Sequence, residues 1–329
     1  MLVHHWGMGP SGDHLYRRRE DRRQQVRRRR RNALVSLVGA VLIAAGSLAA
    51  CGTRDSASQR PAGDSSEEAS SQNTQGSVDW KAPLATPEAQ SAAIDRVVKV
   101  GKPIYCSGGR NGRYVALTFD DGPGLYTHFA LRYLKQWKMH ATFFLIGRLL
   151  ADPSFRELAR KENTLVGAAT GNHSWTHPYL PGLGIGEVKT QLANTKRAAA
   201  SASGSEVKVF RPPYGARTPA IDQISSHNGM AEILWDIDSR DSQGANYAEI
   251  ARIVISQMKP GSIILLHENR GQTIRALRQI LPAVRRKHLT PVTVPELLAL
   301  DPPSDAQLKA GPNGCGNLRG SSKAVRAGA

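Results

Sequence analysis

The middle of the chain alternates short apolar runs with longer segments in which apolar residues recur at helical spacing, and this alternation constrains the fold more than any other feature. The segments 128–139 and 247–258 show the helical spacing most clearly. Strands that alternate with helices pair in parallel and leave the helices outside the sheet. We therefore predict an α/β domain with a barrel-like (β/α) arrangement of about seven parallel strands, and an open doubly wound sheet is the competing architecture. The predicted strands are Tyr114–Phe119, Ala141–Gly147, Thr164–Ala168, Val207–Phe210, Ala231–Ile237, Ser262–Leu266 and Pro291–Val294.

Polar and charged side chains follow five of these predicted strands. In parallel α/β folds the carboxyl ends of the strands meet at one face, and functional sites form there. We therefore expect side chains that are far apart in the sequence to converge on one patch. The five segments are DD at 120–121, GNHSWTHP at 171–178, RPPYG at 211–215, DSRD at 238–241 and HE at 267–268.

Two of these segments predict a metal site. His173 and His177 are four residues apart, and on a helical turn this spacing puts both imidazoles on one side. Two histidines and one carboxylate are the usual ligands of a catalytic zinc ion. Asp120 and Asp121 are adjacent carboxylates, whose mutual repulsion a cation relieves. We predict that Asp121 joins the two histidines on a divalent metal, while Asp120 stays free as a base that activates water.

The polar segments resemble the five motifs of a known family. "TFDDGP", "NHSWTH", "RPPYG", "DSRD" and "LLHE" are similar, in the same order, to the motifs of the polysaccharide deacetylases, which form carbohydrate esterase family 4 and share the chitooligosaccharide deacetylase homology domain. The resemblance implies one catalytic domain over residues 101–300, folded as a distorted (β/α) barrel with fewer than eight complete repeats. It also implies a metal-dependent hydrolase that acts on carbon–nitrogen bonds other than peptide bonds.

The resemblance implies roles for the predicted metal ligands and their neighbours. The three ligands are as predicted above, and Asp120 is the general base. Arg211 orients that base and forms an ion pair with it. The backbone N–H of Tyr214 donates to the oxyanion. Zinc is the expected ion, with cobalt or another divalent ion as the alternative.

The last two motifs are implied to complete the site. His267 is the general acid that protonates the departing amine, and Asp241 pairs with it. Leu265 lines a small pocket for the acetyl methyl group. The chemistry of amide hydrolysis agrees, because an amine anion does not leave at neutral pH without a proton donor.

Two positions depart from the family pattern. Ser242 stands where the family commonly has a tryptophan that forms a wall of the substrate groove, and Glu268 stands where it commonly has aspartate. Neither change removes a reacting group. The missing tryptophan leaves open how the sugar is held, and Trp175 or Trp235 is a candidate for a stacking surface.

Residues 1–50 resemble an export signal, with a basic n-region at 1–32 and an apolar h-region at 33–50. The sequence "LAAC" at 48–51 resembles the bacterial lipoprotein box, in which Cys51 is lipidated; an uncleaved anchor helix is the alternative. Residues 51–100 are predicted to be the lipidated cysteine and a Ser-rich linker, and 301–329 a C-terminal tail. We therefore expect an exported domain that is lipid-anchored to the cell membrane and faces away from the cytoplasm.

The formal net charge of +17 does not by itself indicate a nucleic-acid partner. Ten arginines lie before Cys51, and the run at 27–31 suits phosphate contacts. That run directly precedes the apolar h-region, so the n-region of a signal explains it better. We predict no binding to nucleic acid.

Two of the three cysteines are predicted to pair. With Cys51 assigned to the lipid, Cys106 and Cys315 remain in an oxidising compartment. They bracket the predicted domain, so we predict a disulfide between them, with two unrelated thiols as the alternative.

A lipid-anchored domain outside the membrane meets the cell wall first. The expected substrate is therefore an acetylated wall polysaccharide, namely the N-acetylglucosamine of peptidoglycan. The alternatives within the family are an acetylxylan esterase and a chitooligosaccharide deacetylase. The alternative from another class is a non-catalytic carbohydrate-binding lipoprotein.

Overall fold

A parallel sheet forms the centre of the protein in a computed structural model, which describes residues 80–315. The strands are β1 (Tyr114–Gly122), β2 (Thr142–Leu145), β3 (Ala169–Asn172), β4 (Val209–Phe210), β5 (Ala231–Glu232), β6 (Ile237–Asp238), β7 (Ile263–His267) and β8 (Thr290–Val292). Their order is β5-β4-β3-β2-β1-β7-β6, and β8 pairs with the first part of β1.

Helices connect the strands, and most of them cover the outside of the sheet. They are α1 (Pro87–Val100), α2 (Thr127–Trp137), α3 (Pro153–Val166), α4 (Ile185–Ser203), α5 (Pro219–His227), α6 (Tyr247–Gln257), α7 (Gly271–Arg286), α8 (Val294–Leu300) and α9 (Asp305–Ala310). Of these, α1 and α8 pack on the inner face of the sheet. The helical patterns at 128–139 and 247–258 correspond to α2 and α6.

The strand order is the cyclic order of a barrel with one opening. β1 to β5 follow one another in one direction, whereas β6 lies at the other edge and β7 lies between β6 and β1. In a doubly wound sheet the second half of the chain starts beside the central strand and moves outwards. Here the second half of the chain starts with β6 at the edge of the sheet and continues with β7 towards β1. Successive strands therefore advance in one direction around the sheet, as they do in a barrel. The predicted distorted (β/α) barrel is confirmed as a curled half-barrel of seven parallel strands, with β8 added beside β1.

The predicted strand Ala231–Ile237 is wrong, because the structure divides it into β5 and β6 at opposite edges of the sheet. Apolar periodicity does not distinguish one buried strand from two short strands joined by a buried crossing segment. The edge of β5 is covered by the segment before β1, where the Ile104 N–H donates to the Glu232 carbonyl at 2.8 Å. The opening of the barrel therefore lies between β5 and β6, the two edge strands that this apolar run forms.

The predicted strand Thr164–Ala168 is also wrong. Helix α3 continues to Val166 and is closed by Gly167 in the left-handed conformation, at φ 60°. Its start is fixed by the Asp152 side chain, which accepts from the Ser154 N–H at 2.8 Å. The true strand, β3, has the sequence ATGN, whose low strand propensity resembles a loop.

The core has two layers, one on each face of the sheet. The outer layer packs the sheet against the helices, and in it the Phe119 and Phe143 rings stack at 5.1 Å. The inner layer fills the half-barrel and includes Phe144, Val209 and Ile263. Adjacent residues of β2 therefore serve opposite layers, as expected for a strand buried on both faces.

The structured region begins before residue 101, so the predicted linker boundary is wrong. Helix α1 lies within the range 51–100, and its Ile94 and Val97 are buried in the inner layer. The Thr86 side chain caps this helix by accepting from the Ala89 N–H at 3.2 Å. The helix is held because its apolar face closes the barrel, although the neighbouring sequence is polar.

The beginning of the predicted tail is held by the domain as well. The Asp301 carboxylate accepts from the Ser107 hydroxyl at 2.6 Å and from the Arg110 N–H at 3.0 Å. The predicted disulfide between Cys106 and Cys315 is confirmed, with the two Cα atoms 5.9 Å apart. The tail up to Cys315 is therefore part of the fold.

The predicted signal sequence at 1–50, the predicted lipidation site Cys51 and the Ser-rich part of the linker lie outside the described residues. Among residues 80–315, no helix combines the length and the apolar character that crossing a membrane requires.

Candidate active site

A bulge at the end of β1 brings two adjacent carboxylates to the same side of the sheet. Successive side chains of a regular strand point to opposite faces. The pairing of β1 with β2 skips one residue between Asp120 and Gly122, and the skipped residue, Asp121, has φ 69°. Such a bulge re-aims a side chain. Asp121 therefore joins Asp120 at the carboxyl end of the strands.

The three predicted metal ligands converge. Asp121 Oδ1 lies 3.5 Å from His173 Nε2 and 3.2 Å from His177 Nε2, and the three ligand atoms all lie within 4.8 Å of one another. Ligand atoms placed tetrahedrally around a zinc ion, at about 2.0–2.2 Å from it, are separated by about 3.3–3.6 Å. The two separations between Asp121 and the histidines, 3.5 and 3.2 Å, are close to this range.

The protonation and hydrogen bonding of these groups also fit a metal. Asp121 Oδ1 is buried and has no hydrogen-bond partner, which is costly for a carboxylate unless a cation binds it. His173 Nδ1 lies 2.7 Å from the Arg211 carbonyl oxygen, so the ring donates there through Nδ1, and Nε2 is the atom that faces the other two ligands.

The pKa values agree with this assignment. Burial and the nearby His173 charge lower the pKa of His177, although Asp121 and Asp120 oppose the shift. Burial alone would raise the pKa of Asp121, but its contact with His173 and the electrostatic effect of the neighbouring histidines hold it well below its usual range. A neutral imidazole and an ionised carboxylate are the forms that bind metals.

The predicted helical turn at His173–His177 is wrong. The segment is an irregular loop in which Ser174 and His177 both have left-handed backbones, at φ 63° and 59°. The His177 N–H donates to the Ser174 hydroxyl at 3.1 Å. The N–H groups of Trp175 and Thr176, which lie between these two residues, both donate to the Gln191 side chain on α4. The spacing therefore identified the pair, but the loop geometry brings the rings together.

Asp120 is held by a fully buried arginine, as the motif resemblance implied. Arg211 Nη1 donates to Asp120 Oδ1 at 2.8 Å and to the Thr118 hydroxyl at 2.8 Å. The guanidinium also donates to the carbonyls of Ile233 and Leu234, both at 3.0 Å. Because the arginine is saturated by these partners, it fixes Asp120 in one orientation.

The predicted acid, His267, lies beside Asp120, because the two residues are partners in the pairing of β1 with β7. Its Nδ1 lies 2.7 Å from Asp241 Oδ1, and its backbone N–H donates to Asp241 Oδ2 at 2.7 Å. Thr273 on α7 also donates to Oδ2, at 2.5 Å. Burial alone would lower the pKa of His267, but the hydrogen bond and charge of Asp241 raise it above its usual value. Asp241 therefore favours the protonated imidazole.

The two remaining predicted residues are close to this centre. The Tyr214 ring meets the His177 ring edge to face, with centroids 4.7 Å apart, and Tyr214 has φ 61°. Leu265 lies two residues before His267 on β7, so both side chains are on the same face of the strand.

Several residues that support the site were missed in the sequence. Asn269 donates to Asp121 Oδ2 at 3.3 Å, and Thr118, Gln191 and Thr273 hold the groups described above. Asn269 and Thr118 are close in sequence to motif residues, which is the only signal that points to them. Gln191 and Thr273 lie within helices, and nothing in the sequence distinguishes them from other polar residues of those helices.

Comparison with known proteins identifies the family of the chain. A family model described as polysaccharide deacetylase matches residues 107–233. The chain is 33% identical over 201 residues to a chitooligosaccharide deacetylase of Bradyrhizobium sp. (strain ANU 289), covering 56% of this chain and 90% of that relative. The chain belongs to the polysaccharide deacetylase family, carbohydrate esterase family 4.

Two further similarities extend the comparison. The chain is 35% identical over 189 residues to a peptidoglycan-N-acetylmuramic acid deacetylase of Bacillus subtilis, covering 57% of this chain but only 39% of that longer relative. A family 4 carbohydrate esterase from Streptomyces lividans, solved in complex with acetate, superposes with a TM-score of 0.52 at 33% identity, covering 55% of this chain and 92% of that one.

Proposed function

We propose that this protein is a divalent-metal-dependent hydrolase that removes N-acetyl groups from an extracellular amino-sugar polysaccharide, specifically the N-acetylglucosamine of peptidoglycan. The observation that carries the proposal is the convergence of three candidate metal-ligand atoms in one place. Beside them lie a carboxylate that is paired with an arginine and a histidine that is paired with a second carboxylate. Water and an acetamide give acetate and a free amine, so the reaction needs one group to remove a proton and another to deliver one.

The residues Asp121, His173 and His177 would hold the ion, for which zinc is the first candidate and cobalt an alternative. A divalent ion supplies Lewis acidity that polarises the acetyl carbonyl and acidifies water. The protein contributes the orientation of its ligands, because the Arg211 carbonyl fixes His173 and Asn269 holds Asp121.

Asp120 acts as the general base that takes a proton from the attacking water. Its Oδ1 is occupied by Arg211, while its Oδ2 faces the ligand cluster, 3.7 Å from His173 Nε2. The ion pair with the fully buried Arg211 guanidinium holds the carboxylate in place while it accepts the proton.

His267 acts as the general acid on the leaving amine. Its Nδ1 is engaged by Asp241, so the proton that it delivers is the one on Nε2. The raised pKa keeps this proton in place near neutral pH.

Two groups are proposed to hold the acetyl unit. The Tyr214 N–H is assigned to the developing oxyanion, because this residue adjoins His177 in a turn that the two prolines Pro212 and Pro213 hold rigid. Leu265 is assigned to the acetyl methyl, since it lies beneath His267 on the same face of β7.

An anionic substrate is favoured by the charges around the site. Three exposed arginines, Arg148, Arg240 and Arg270, lie in the loops that follow β2, β6 and β7. Peptidoglycan carries carboxylates on its stem peptides, whereas chitin carries none. Guanidinium groups pair well with carboxylates, so they favour the wall polymer.

The location of the enzyme is proposed from its N-terminal sequence. An export signal at 1–50 and a lipid on Cys51 would anchor the domain outside the cytoplasm, close to the wall. Mass spectrometry of the membrane-associated protein tests this, because a mature chain that starts at a diacylated Cys51 is expected and an unmodified N-terminus at residue 1 would contradict it.

Acetate release tests the function. The metal-loaded protein is expected to release acetate from peptidoglycan more efficiently than from chitooligosaccharides or acetylated xylan. Equal or greater release from another polymer would overturn the substrate, and wall binding without acetate release from any polymer would favour the non-catalytic alternative.

A further inference from the structure

A basic surface lies at the opposite end of the sheet from the candidate active site. The segments 122–151 and 269–295, which contain α2 and α7, include no aspartate or glutamate. Four of their exposed cations lie in the last turns of these two helices or directly after them, namely Lys135, Lys138, Arg285 and Arg286. Because β2 and β8 begin a few residues further on, these cations lie at the amino ends of the strands.

Direct contacts join the cations into one cluster. Arg285 donates to the Trp137 carbonyl at 2.7 Å, which brings the end of α7 against the end of α2. Arg113, which immediately precedes β1, donates to the carbonyls of Lys287 and His288 at 2.8 and 3.0 Å. Six cations therefore line one edge of the domain. We name them the basic edge: Arg113, Lys135, Lys138, Arg285, Arg286 and Lys287.

Acidic side chains do not neutralise this edge. Within residues 80–315, none of its six cations forms an ion pair. The helices that flank α2 and α7 are α3 and α6. On α3, the partly exposed Glu157 is paired with Arg160 and Lys161 of the same helix. On α6, the acid Glu249 lies in the first turn, at the carboxyl end of the sheet. The positive charge of the basic edge therefore faces solvent.

The basic edge is too far from the candidate active site to contact its substrate directly. Arg113 precedes β1 and Asp121 lies at the other end of that strand, which separates them by about 25 Å. The predicted catalytic groups all lie at the carboxyl end. A partner of the basic edge is therefore distinct from the ligand of the site.

The chain enters the domain at the same end. The carbonyl oxygen of Trp80, the first described residue, lies 2.8 Å from His140 Nε2, and His140 follows Lys138 by two residues. The segment that is predicted to link the domain to a membrane therefore joins it beside the basic edge. A linker keeps a domain near the membrane but does not determine which end faces the lipid. A charged contact at one end does determine it.

We propose that the basic edge docks on the anionic phospholipid surface of the membrane, so that the candidate active site faces away from the bilayer. Each lysine or arginine close to an anionic lipid surface strengthens adsorption about fivefold. A membrane is favoured over a soluble anion because the chain that leads to the proposed anchor starts beside this edge. The inference goes beyond the proposed function and rests on the proposed location of the domain.

Lysine labelling of the full chain tests the contact. The protein is reconstituted in vesicles of phosphatidylcholine alone, or of phosphatidylcholine and phosphatidylglycerol in equal parts, and is treated with an acetylating reagent. Mass spectrometry should show that Lys138 reacts about 3–10-fold more slowly on the vesicles with phosphatidylglycerol, and that high salt removes the difference. Lys189, which is exposed near the start of α4 at the carboxyl end of the sheet, should react equally on both.

Two variants with the same loss of charge locate the contact. Lys135→Gln with Arg286→Gln removes two cations of the basic edge. Neither side chain has a hydrogen bond or an ion pair within the described residues, so the fold should be kept. This variant should lose most of the protection of Lys138. Arg240→Gln with Arg270→Gln removes two exposed cations at the carboxyl end and should retain that protection.

Several outcomes would overturn the inference. They are equal labelling of Lys138 on both kinds of vesicle, equal protection of Lys189, unchanged protection in the variant of the basic edge, and an equal loss in the variant of the carboxyl end. Soluble polyphosphate that protects Lys138 on phosphatidylcholine vesicles as strongly as phosphatidylglycerol does would also overturn it, because the edge would then bind a free polyanion. The measurement does not depend on turnover. Protection in a protein that releases no acetate would leave the docking surface in place and remove the deacetylase proposal.

Discussion

At the residue scale, two neighbouring aspartates make different contacts because one of them occupies a bulge. Asp120 points into the half-barrel and is held by Arg211, while Asp121, with its left-handed backbone, is turned towards the two histidines. A non-glycine residue in that conformation stores strain, which the surrounding structure must offset. Ser174, His177, Tyr214 and Arg240 share this conformation in neighbouring loops. Strain is therefore concentrated where the site is built.

The metal assignment predicts that mutations can separate zinc binding from catalysis. His173→Ala removes a ligand, so bound zinc measured by mass spectrometry should fall to a small fraction of one equivalent. Asp120→Asn keeps the ligands and should retain zinc, while acetate release falls about 10²–10⁴-fold because the base is lost. His128→Ala, a change at an exposed histidine on α2, is the control. Full activity in His173→Ala would contradict the assignment.

The acid assignment predicts the direction of a pH effect. Protonated His267 is the active form, so kcat should be retained below its raised pKa and lost as the pH rises through it. Asp241→Asn removes the charge that raises this pKa. The fall of kcat on the alkaline side of the pH profile should therefore move to lower pH, and kcat at pH 7 should fall about 10-fold or more. Asp238→Asn, at the end of β6 three residues before Asp241, should leave the pH at which kcat falls unchanged. If the pH at which kcat falls is the same in Asp241→Asn as in the wild type, His267 is not the general acid.

At the element scale, helix α3 carries a buried acid on its apolar face. Ala159, Glu162 and Val166 all point into the core, and both carboxylate oxygens of Glu162 are without a hydrogen-bond partner. Burial and the nearby charge of Glu268 raise the pKa of Glu162 well above its usual value. Burial likewise raises the pKa of Glu268 to about 8. The helix is therefore compatible with the core only while this acid is neutral.

A stability prediction follows from the sign of that shift. Because the folded pKa of Glu162 is raised, its contribution to stability is complete below about pH 4.5 and is lost as the pH rises through the folded value. Glu162→Gln cannot ionise, so its melting temperature should fall less between pH 5 and pH 9 than that of the wild type. Glu157→Gln, at an exposed position of the same helix, should behave as the wild type does. Equal pH dependence in all three proteins would show that Glu162 does not control it.

At the scale of the whole molecule, segments from both ends of the described chain close the half-barrel. Helix α1 fills the inner layer, and the Arg96 side chain donates to the Pro303 carbonyl at 2.9 Å. The disulfide joins residues 209 positions apart, from before β1 to after α9. Such a link constrains the unfolded chain over almost the entire domain.

Removal of the disulfide should therefore destabilise the domain. Cys106→Ala and Cys315→Ala are each expected to lower the free energy of unfolding by about 2–5 kcal/mol, measured by denaturant titration under oxidising conditions. The double variant should match the single ones, because either change removes the same bond. A wild-type protein that is insensitive to reductant would contradict the expectation, since the bond would then contribute nothing.

The sequence by itself determined the class of fold, the chemical groups of the site and the cysteine pair. Alternating periodicities depend only on local apolar spacing, and motifs such as the adjacent aspartates lie within a few residues of one another. The tertiary structure decided what depends on distant partners. These features are the break of the run 231–237 into two edge strands and the bulge that turns Asp121. The two edge strands and the bulge are fixed by contacts with segments far away in the chain, which no local pattern of residues encodes, whereas the end of α3 is closed locally by Gly167 and was missed because the residues around it are apolar.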